Sequence, residues 1–305
     1  MPVSVAPESP LHPEARALLE ASHAYSASLY RPEENFVLSV EDLCAPDIRF
    51  FAARADGRVV GTAALARRDG YGEVKSMFAA PESRGQGVAD ALLRRLMVEC
   101  LVLGLPLIRL ETGPLNHAAM RVYARHGFRR CGAFGDYPDA PSSVFFERPT
   151  PALHRMTPDG DMAPVHALLT RAFAFMAGVI DPPSSMNRLT PDGLATEAGR
   201  AELWVVDCPV EGILACMILT DKGETLYLGK LAVADAWRGS GLARVMIDHA
   251  VTRARALGRP TVTLQTRVEL TANHATFQRL GFVETGRTAH PGYTRPTTVN
   301  FSRPV

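Results

Sequence analysis

Arg84-Gly85-Gln86-Gly87-Val88-Ala89 returns as Arg238-Gly239-Ser240-Gly241-Leu242-Ala243, an offset of 238 − 84 = 154. The same offset links Gly104 to Gly258, Pro106 to Pro260, Leu110 to Leu264, Thr112 to Thr266, and Gly127-Phe128 to Gly281-Phe282. One shared tetrapeptide is compatible with chance. A series held in a single register without a gap points to duplication. Solenoid repeats have periods of roughly 20–50 residues, so a period this long means two copies of one domain. At 305 residues the chain has about twice the usual domain length. Ser143-Val144-Phe145-Phe146-Glu147 reads as the last strand of the first copy, and Arg148-Pro149-Thr150-Pro151 as a linker. The expected domains are therefore 1–149 and 150–305. The second ends in a similar strand, Thr298-Val299-Asn300-Phe301.

Composition narrows the class. Lys+Arg is 33 against Asp+Glu 32, nearly balanced in both halves, which argues against nucleic-acid binding by charge. A hydrophobic content of 47% supports packed cores rather than disorder. No apolar run approaches the ~20 residues of a membrane span. The first residues carry neither a basic stretch nor an apolar core, so no secretion signal is read there and a cytoplasmic protein is expected. Cys44, Cys100, Cys131, Cys208 and Cys216 are odd in number and form no C-x-x-C, as fits reduced thiols better than a disulfide frame or a zinc site.

Each copy opens with a helical region, 12–30 and about 160–178. Phe50–Arg54 and Val59–Leu65 flank an Ala55-Asp56-Gly57 turn, a hairpin pattern. Leu203–Cys208 and Ile213–Leu219 are the second copy's equivalents. An extended segment follows (Gly72–Ala80; Tyr227–Val233), then the glycine turn, then an amphipathic helix. The apolar stripe of that helix is Leu92, Leu93, Leu96, Met97 and Cys100 in one copy, and Val245, Met246, Ala250, Ala254 and Leu257 in the other. Gly104 and Gly258 sit where a helix C-terminus favours positive φ. A strand (Leu107–Glu111; Val262–Gln265) and a short helix ending in Gly-Phe complete the pattern. The fold class is α+β, with a mixed, mostly antiparallel sheet flanked by helices in each copy.

The strand, R-G-x-G turn and helix form the informative unit. A helix N-terminus presents unpaired N–H groups and the positive end of its dipole. Glycines ahead of it let the backbone approach an anion closely, and a pyrophosphate is the natural guest. A lone R-G-x-G would be a plain turn; here it occurs twice, each time between an apolar strand and an amphipathic helix. No Gly-Lys-Ser/Thr follows, so it is not a Walker A loop, and the order of a dinucleotide fingerprint is absent.

With Asn116, Tyr123 and Gly127-Phe128 downstream, these residues resemble the GNAT superfamily of N-acetyltransferases, as two tandem domains over nearly the whole chain. The resemblance implies acetyl-CoA as cofactor and a primary amine of a small molecule or peptide as acceptor. It implies that Met77, Phe78 and Ala79 face the pantetheine arm through backbone groups, one of them an oxyanion donor. Ser83, Arg84, Gly85, Gln86, Gly87, Val88 and Ala89 would cradle the pyrophosphate, with the neighbouring strand splayed away. In the second copy Leu231, Ala232, Val233, Arg238, Gly239, Ser240, Gly241, Leu242 and Ala243 match these positions. An amine nucleophile must lose a proton; Glu111 matches the general base of one subgroup, or is a solvated strand-end carboxylate. Tyr123 matches the general acid, or is a core tyrosine. Asn116 matches a coenzyme contact, or caps its short helix.

The second copy departs from this pattern. Glu111 becomes Gln265, Asn116 becomes Leu270 and Tyr123 becomes Phe277. Asn273 replaces the missing amide or caps the helix; Glu269, His290 and Tyr293 are further candidate substitutes, the last two reading more readily as a structural histidine and a buried tyrosine. The expectation is catalysis in the N-terminal domain, with the C-terminal domain binding coenzyme A weakly or serving as scaffold in a pseudo-dimer. Two alternatives stay open: a non-catalytic acyl-CoA-responsive module, and catalysis in the C-terminal domain. The acceptor pocket is assigned to loops at about 20–45, 132–142, 175–200 and 286–296; Asp136, Tyr137 and Asp139 read as solvated loop charges ahead of a cation-attracting rim. A monomer is expected, with no nucleic-acid or membrane partner and no metal.

Overall fold

A computed structural model describes residues 3–305. They form two compact units, divided between Ala152 and Leu153.

The first unit runs β1 (Ser4–Pro7), α1 (Pro13–Ala27), β2 (Ile48–Ala55), β3 (Arg58–Arg68), β4 (Tyr71–Ala79), α2 (Val88–Leu103), β5 (Leu107–Thr112), α3 (His117–Arg125), β6 (Arg129–Arg130) and β7 (Val144–Pro149). Its seven-stranded sheet has the order β1-β2-β3-β4-β5-β7-β6. Only the β4–β5 pairing is parallel. Asp56 (φ 47) and Gly57 (φ 80) make the two-residue turn whose twist suits a tight hairpin between β2 and β3.

The second unit runs β8 (Ala152–Met156), α4 (Ala163–Phe173), α5 (Pro191–Arg200), β9 (Glu202–Cys208), β10 (Gly212–Asp221), β11 (Leu226–Val233), α6 (Leu242–Ala256), β12 (Thr261–Arg267), α7 (Thr271–Arg279), β13 (Val283–Thr288) and β14 (Thr298–Pro304). Its sheet order is β13-β14-β12-β11-β10-β9-β8. Each unit is thus a mixed, mostly antiparallel sheet flanked by helices, the expected α+β class.

The duplication persists in backbone detail. β4 meets β5 at Gly72↔Ile108 and Glu73↔Arg109, and β11 meets β12 at Leu226↔Val262 and Tyr227↔Thr263. The shifts are 226 − 72 = 154 and 262 − 108 = 154. A bulge interrupts each preceding pairing. On β4, Ser76 and Met77 stand opposite Ala63 alone, between the pairs Thr62↔Phe78 and Ala64↔Lys75. On β11, Lys230 and Leu231 stand opposite Met217, between Cys216↔Ala232 and Ile218↔Gly229. The first bulge residues, Ser76 (φ 47) and Lys230 (φ 50), occupy the same left-handed conformation at 230 − 76 = 154.

α2 buries Leu92, Leu93, Leu96, Met97 and Cys100 against the sheet, as the stripe predicts. A Cβ on Gly72 would lie 2.8 Å from Cys100 Sγ, so the strand carries glycine where the helix presses closest. On α6 the buried face is Leu242, Met246, Ile247, Ala250, Val251 and Ala254, while Val245 and Leu257 are only half-buried. The expected stripe is therefore rotated by about one residue, because Ile247 and Val251 turn toward the sheet.

Two expectations are corrected. The segment 148–151 is not a slack linker. β7 extends to Pro149, Arg148 is 1% exposed and donates to the His126 carbonyl, and the Thr150 hydroxyl donates to the Leu105 carbonyl. The region 175–200, read as loop, ends in α5. Its first turn is capped by Thr190, whose Oγ1 accepts from the Gly193 N–H at 3.1 Å, with Pro191 in the first helical position. Leu194 and Ala198 of α5 pack with Val165, Leu168 and Leu169 of α4 against the second sheet.

Candidate active site

The glycine turns sit where the sequence places them. After β4, a single 3-10 turn (Pro81–Ser83) leads through Gly85 (φ 78) and Gly87 (φ 82) into α2. After β11, the turn Asp235–Trp237 leads through Gly239 (φ 78) and Gly241 (φ 103) into α6. Neither helix has a side-chain cap. Their first N–H groups are thus left to water or to a ligand. Ser83 and Ser240 are buried, and Ser240 donates its hydroxyl to the Trp237 carbonyl at 2.6 Å, which anchors the second turn from within. Arg84 and Arg238 are exposed; Arg238 pairs with Asp235 at 2.9 Å.

In the first unit β5 leaves β4 after two residue pairs. Phe78 and Ala79 remain paired to β3 on one edge. The other edge of Met77–Ala79 faces the gap where β5 has diverged. Glu111 lies at the next-to-last position of β5, and its Oε1 accepts a hydrogen bond from Ser143 Oγ at 2.8 Å. Burial raises its pKa above the ordinary carboxylate range, against the opposing pull of that bond and of Lys75.

Tyr123, on α3, is 6% exposed and packs against Phe128 and Phe146, with ring centroids 5.7 and 6.0 Å away. Burial, and then the charge of Glu111, push its phenol well above the usual tyrosine range. The two residues are therefore in electrostatic reach of one another. Asn116 stands at the N-cap of α3, but its side chain makes no capping bond there. Position alone does not make it a cap.

Sequence reasoning missed four side chains around this pair. Tyr30, beyond α1, accepts the Leu115 N–H at its hydroxyl (2.9 Å). Its ring lies so close that a Cβ on Gly113 would be 2.1 Å from Tyr30 Cζ. Glu73, 4% exposed, takes the Tyr137 hydroxyl at 2.7 Å, Lys75 Nζ at 2.9 Å and Arg68 Nε at 3.3 Å. Lys75 Nζ also hydrogen-bonds the Tyr137 hydroxyl. Ser143 is the fourth. Tyr137 itself is not a rim residue. Its ring turns inward against Phe36, Phe134 and Phe145 because its apolar body finds an aromatic pocket, while Asp136 and Asp139 stay exposed. A charged residue inside an otherwise buried strand, as at Glu73, was the available signal.

In the second unit the same splay opens onto a cavity of ≈ 620 Å³. Leu231, Gln265, Leu270, Asn273 and Phe277 line it. Phe277 packs against Phe282 and Phe301 at 6.0 and 6.1 Å, repeating the setting of Tyr123 without its hydroxyl. Leu270 holds the N-cap of α7 at φ −88, ψ 60, against φ −84, ψ 58 for Asn116. The backbone is retained where the chemistry is not. Gln265 is exposed and donates to Asn300 Oδ1 at 2.9 Å. Of the candidate substitutes, Tyr293 donates to Asp181 at 2.6 Å, and Glu269 faces Arg295 at 3.7 Å. His290 Nδ1 lies against Thr297 Oγ1 at 2.6 Å and Arg267 Nη1 at 3.1 Å.

All five cysteines are free thiols, and burial pushes Cys100 and Cys216 up to about 12. Among the described residues no group of three or more His, Cys, Asp or Glu is placed to hold a metal, and no helix is long and apolar enough to cross a membrane.

The profile of the acetyltransferase (GNAT) family matches residues 15–128 and 174–282, well over half of the chain and one stretch in each unit. The chain is 41% identical over 149 residues to the IAA acetyltransferase of Azospirillum brasilense, covering 48% of this chain and 97% of that protein. It is 33% identical over 130 residues to the uncharacterized N-acetyltransferase YsnE of Bacillus subtilis, covering 41% of this chain and 86% of that one. Among solved structures, a GNAT family acetyltransferase from Elizabethkingia anophelis with acetyl-CoA bound matches at 16% identity and a TM-score of 0.38. That match covers 51% of this chain and 98% of that one.

Proposed function

The chain belongs to the acetyltransferase (GNAT) family, and on that premise we propose that its first unit acetylates a primary amine of a small molecule or peptide by direct attack. N-acetyltransferase activity and the use of acetyl-CoA come with the family and with relatives so named. When bound, acetyl-CoA supplies the acetyl group as an activated thioester.

The residues present suit that cofactor. The uncapped start of α2, preceded by Gly85 and Gly87 at positive φ, suits linked phosphates. Ser83–Ala89 would hold them. The unpaired edge of Met77–Ala79 suits the amide-bearing arm, and one N–H of that edge would stabilise negative charge on the acetyl oxygen. Asn116, at the mouth of α3, is assigned a contact to the same arm. Arg238–Ala243 and Leu231–Val233 offer the second unit an equivalent backbone cradle.

The observation that carries the assignment is the placement of Glu111, hydrogen-bonded by Ser143, at the end of β5 just past the point where that strand parts from β4. Glu111 is partly desolvated, which makes its carboxylate a stronger base toward an ammonium proton. Tyr123 holds its phenolic proton throughout the neutral range. With acetyl-CoA bound, Tyr123 would be the residue to supply a proton to the leaving thiolate.

In the second unit the corresponding positions hold Gln265 and Phe277, neither of which exchanges a proton at neutral pH. That unit therefore binds without transferring. A thiol-release assay over a panel of amines tests the division of labour. Tyr123→Phe and Glu111→Gln should abolish most turnover, and Phe277→Tyr should leave it unchanged. An equal loss from Gly241 variants, or an equal change from Phe277→Tyr, would move catalysis to the second unit. Coenzyme binding with no thiol release on any amine would support the non-catalytic module instead.

A further inference from the structure

The two clefts have opposite electrostatic character. Along the 154-residue register, the carboxylates Glu73 and Glu111 of the first cleft become Tyr227 (227 − 73 = 154) and Gln265 (265 − 111 = 154). In the same register Ser76 becomes Lys230, and Gly113 becomes Arg267 (267 − 113 = 154). The cation of the first cleft, Lys75, becomes Gly229 (229 − 75 = 154). Two carboxylates are thus removed and the cations rise from one to two, on a backbone that keeps its strand pairing and its bulge. All five replacements line the ≈ 620 Å³ cavity. Arg188 joins them, and no Asp or Glu is part of the lining.

The cations differ in how far they are already satisfied. Lys230 Nζ is paired with Glu197 of α5 at 2.8 Å. Arg267 is held by uncharged partners: its Nη2 donates to the Pro182 carbonyl at 2.7 Å and its Nη1 to His290 Nδ1 at 3.1 Å. Burial and the nearby Arg267 charge both lower the His290 pKa, so the ring stays neutral. Its Nδ1 also faces the Thr297 hydroxyl and acts as the acceptor, which leaves the ring hydrogen on Nε2. Asp181, the carboxylate beside Pro182, is taken by Arg295 at 2.9 Å and by Tyr293. Arg267 thus presents a fixed guanidinium with no carboxylate in salt-bridge range among the described residues. Phe173, Met176, Met186 and Leu264 form an apolar side of the cavity, while Ser184, Asn187, Thr266 and Asn273 are uncharged polar groups elsewhere on its wall. The volume falls within the ~300–1,000 Å³ of small-molecule sites.

We infer that this cavity is a binding site for a small organic carboxylate with an apolar body, its charged end on Arg267 and its body against the Phe173 and Met186 side. Guanidinium and carboxylate match in planar, two-point geometry. The pantetheine arm of coenzyme A is uncharged and calls for no such cation. The coenzyme's phosphates belong to the Arg238–Ala243 turn, none of whose residues lines the cavity. Because the counterparts of Glu111 and Tyr123 are Gln265 and Phe277, the ligand is held and released unchanged.

The test is calorimetric titration of the full chain, without acetyl-CoA, with 3-phenylpropanoate and with its uncharged isostere 3-phenylpropanamide. The carboxylate should bind about tenfold or more tightly than the amide, the scale of one retained charge pair. Arg267→Gln should erase that preference. Gln265→Glu, an exposed change that returns a carboxylate to the cavity, should erase it as well, and it guards against a folding defect in the Arg267 variant. Equal affinity for carboxylate and amide overturns the inference. So does a preference that survives both cavity variants, or a lack of binding by every mono- and dicarboxylate of this size.

Discussion

Replacing Gly113 by alanine puts a single methyl group where Tyr30 stands. The new Cβ would lie 2.1 Å from Tyr30 Cζ, 2.2 Å from its hydroxyl oxygen and 2.5 Å from Cε1. Non-bonded carbons settle near 3.5–4.0 Å, so the ring must retreat by more than ~1 Å. A retreat of that size also breaks its hydrogen bond with the Leu115 N–H, now 2.9 Å long. Overpacking costs about 1–3 kcal/mol and a lost hydrogen bond about 0.5–1.5 kcal/mol, so a loss of about 2–4 kcal/mol is expected. In a unit of this size about 1 kcal/mol moves Tm by ~2–4 °C, which puts the fall for the first unit at roughly 5–15 °C. Urea denaturation of Gly113→Ala, Tyr30→Ala and the double variant closes a thermodynamic cycle. Tyr30→Ala clears the space, so the double variant should be more stable than the two single losses added together predict. Strict additivity, or a Gly113→Ala protein that melts within a degree of the parent, would refute the packing argument. Tyr30 also lies within reach of the Glu111 charge, so Gly113→Ala should raise the amine KM more than the acetyl-CoA KM.

Three further outcomes are expected. Glu111 has a folded pKa above its unfolded one, so its stabilising share is complete at low pH and disappears as pH rises through the folded value. Relative to Glu111→Gln, the parent should therefore weaken as pH rises above the ordinary carboxylate range in urea titrations; a pH-independent difference would contradict the burial of that carboxyl. Tyr123→Phe should lower kcat by about 10²-fold or more with little change in the acetyl-CoA KM, measured by thiol release. Gly87→Ala forces a side chain to φ 82, at a cost of about 1–2 kcal/mol, and should raise the acetyl-CoA KM more than the amine KM.

The duplication was readable because both copies keep residues that the backbone itself demands, such as Gly87 and Gly241 ahead of the helices and Gly104 and Gly258 behind them. Glu111 and Tyr123 were readable because they lie close to those markers on adjoining elements. Tyr30, Glu73, Lys75 and Ser143 were not, since they reach the site from elements far apart in the chain. The left-handed bulges left no trace, because Ser76 and Lys230 are not the glycines such a φ favours. The start of α5 was signalled by Thr190-Pro191 yet passed for loop in a polar stretch. The change of charge between the clefts was written in the sequence. It acquired meaning only when the strand pairing showed that Arg267 and Lys230 face one space.

A strand that parts from its neighbour after two residue pairs exposes groups that every amino acid possesses. Whatever docks along such a margin is gripped by peptide units, and mutation of side chains scarcely touches that grip. A fold built this way can hold a cofactor and act on it with separate parts. Under the proposed assignment one copy keeps Glu111 and Tyr123 beside that margin, while the other, with Gln265 and Phe277 in their place, keeps the margin alone.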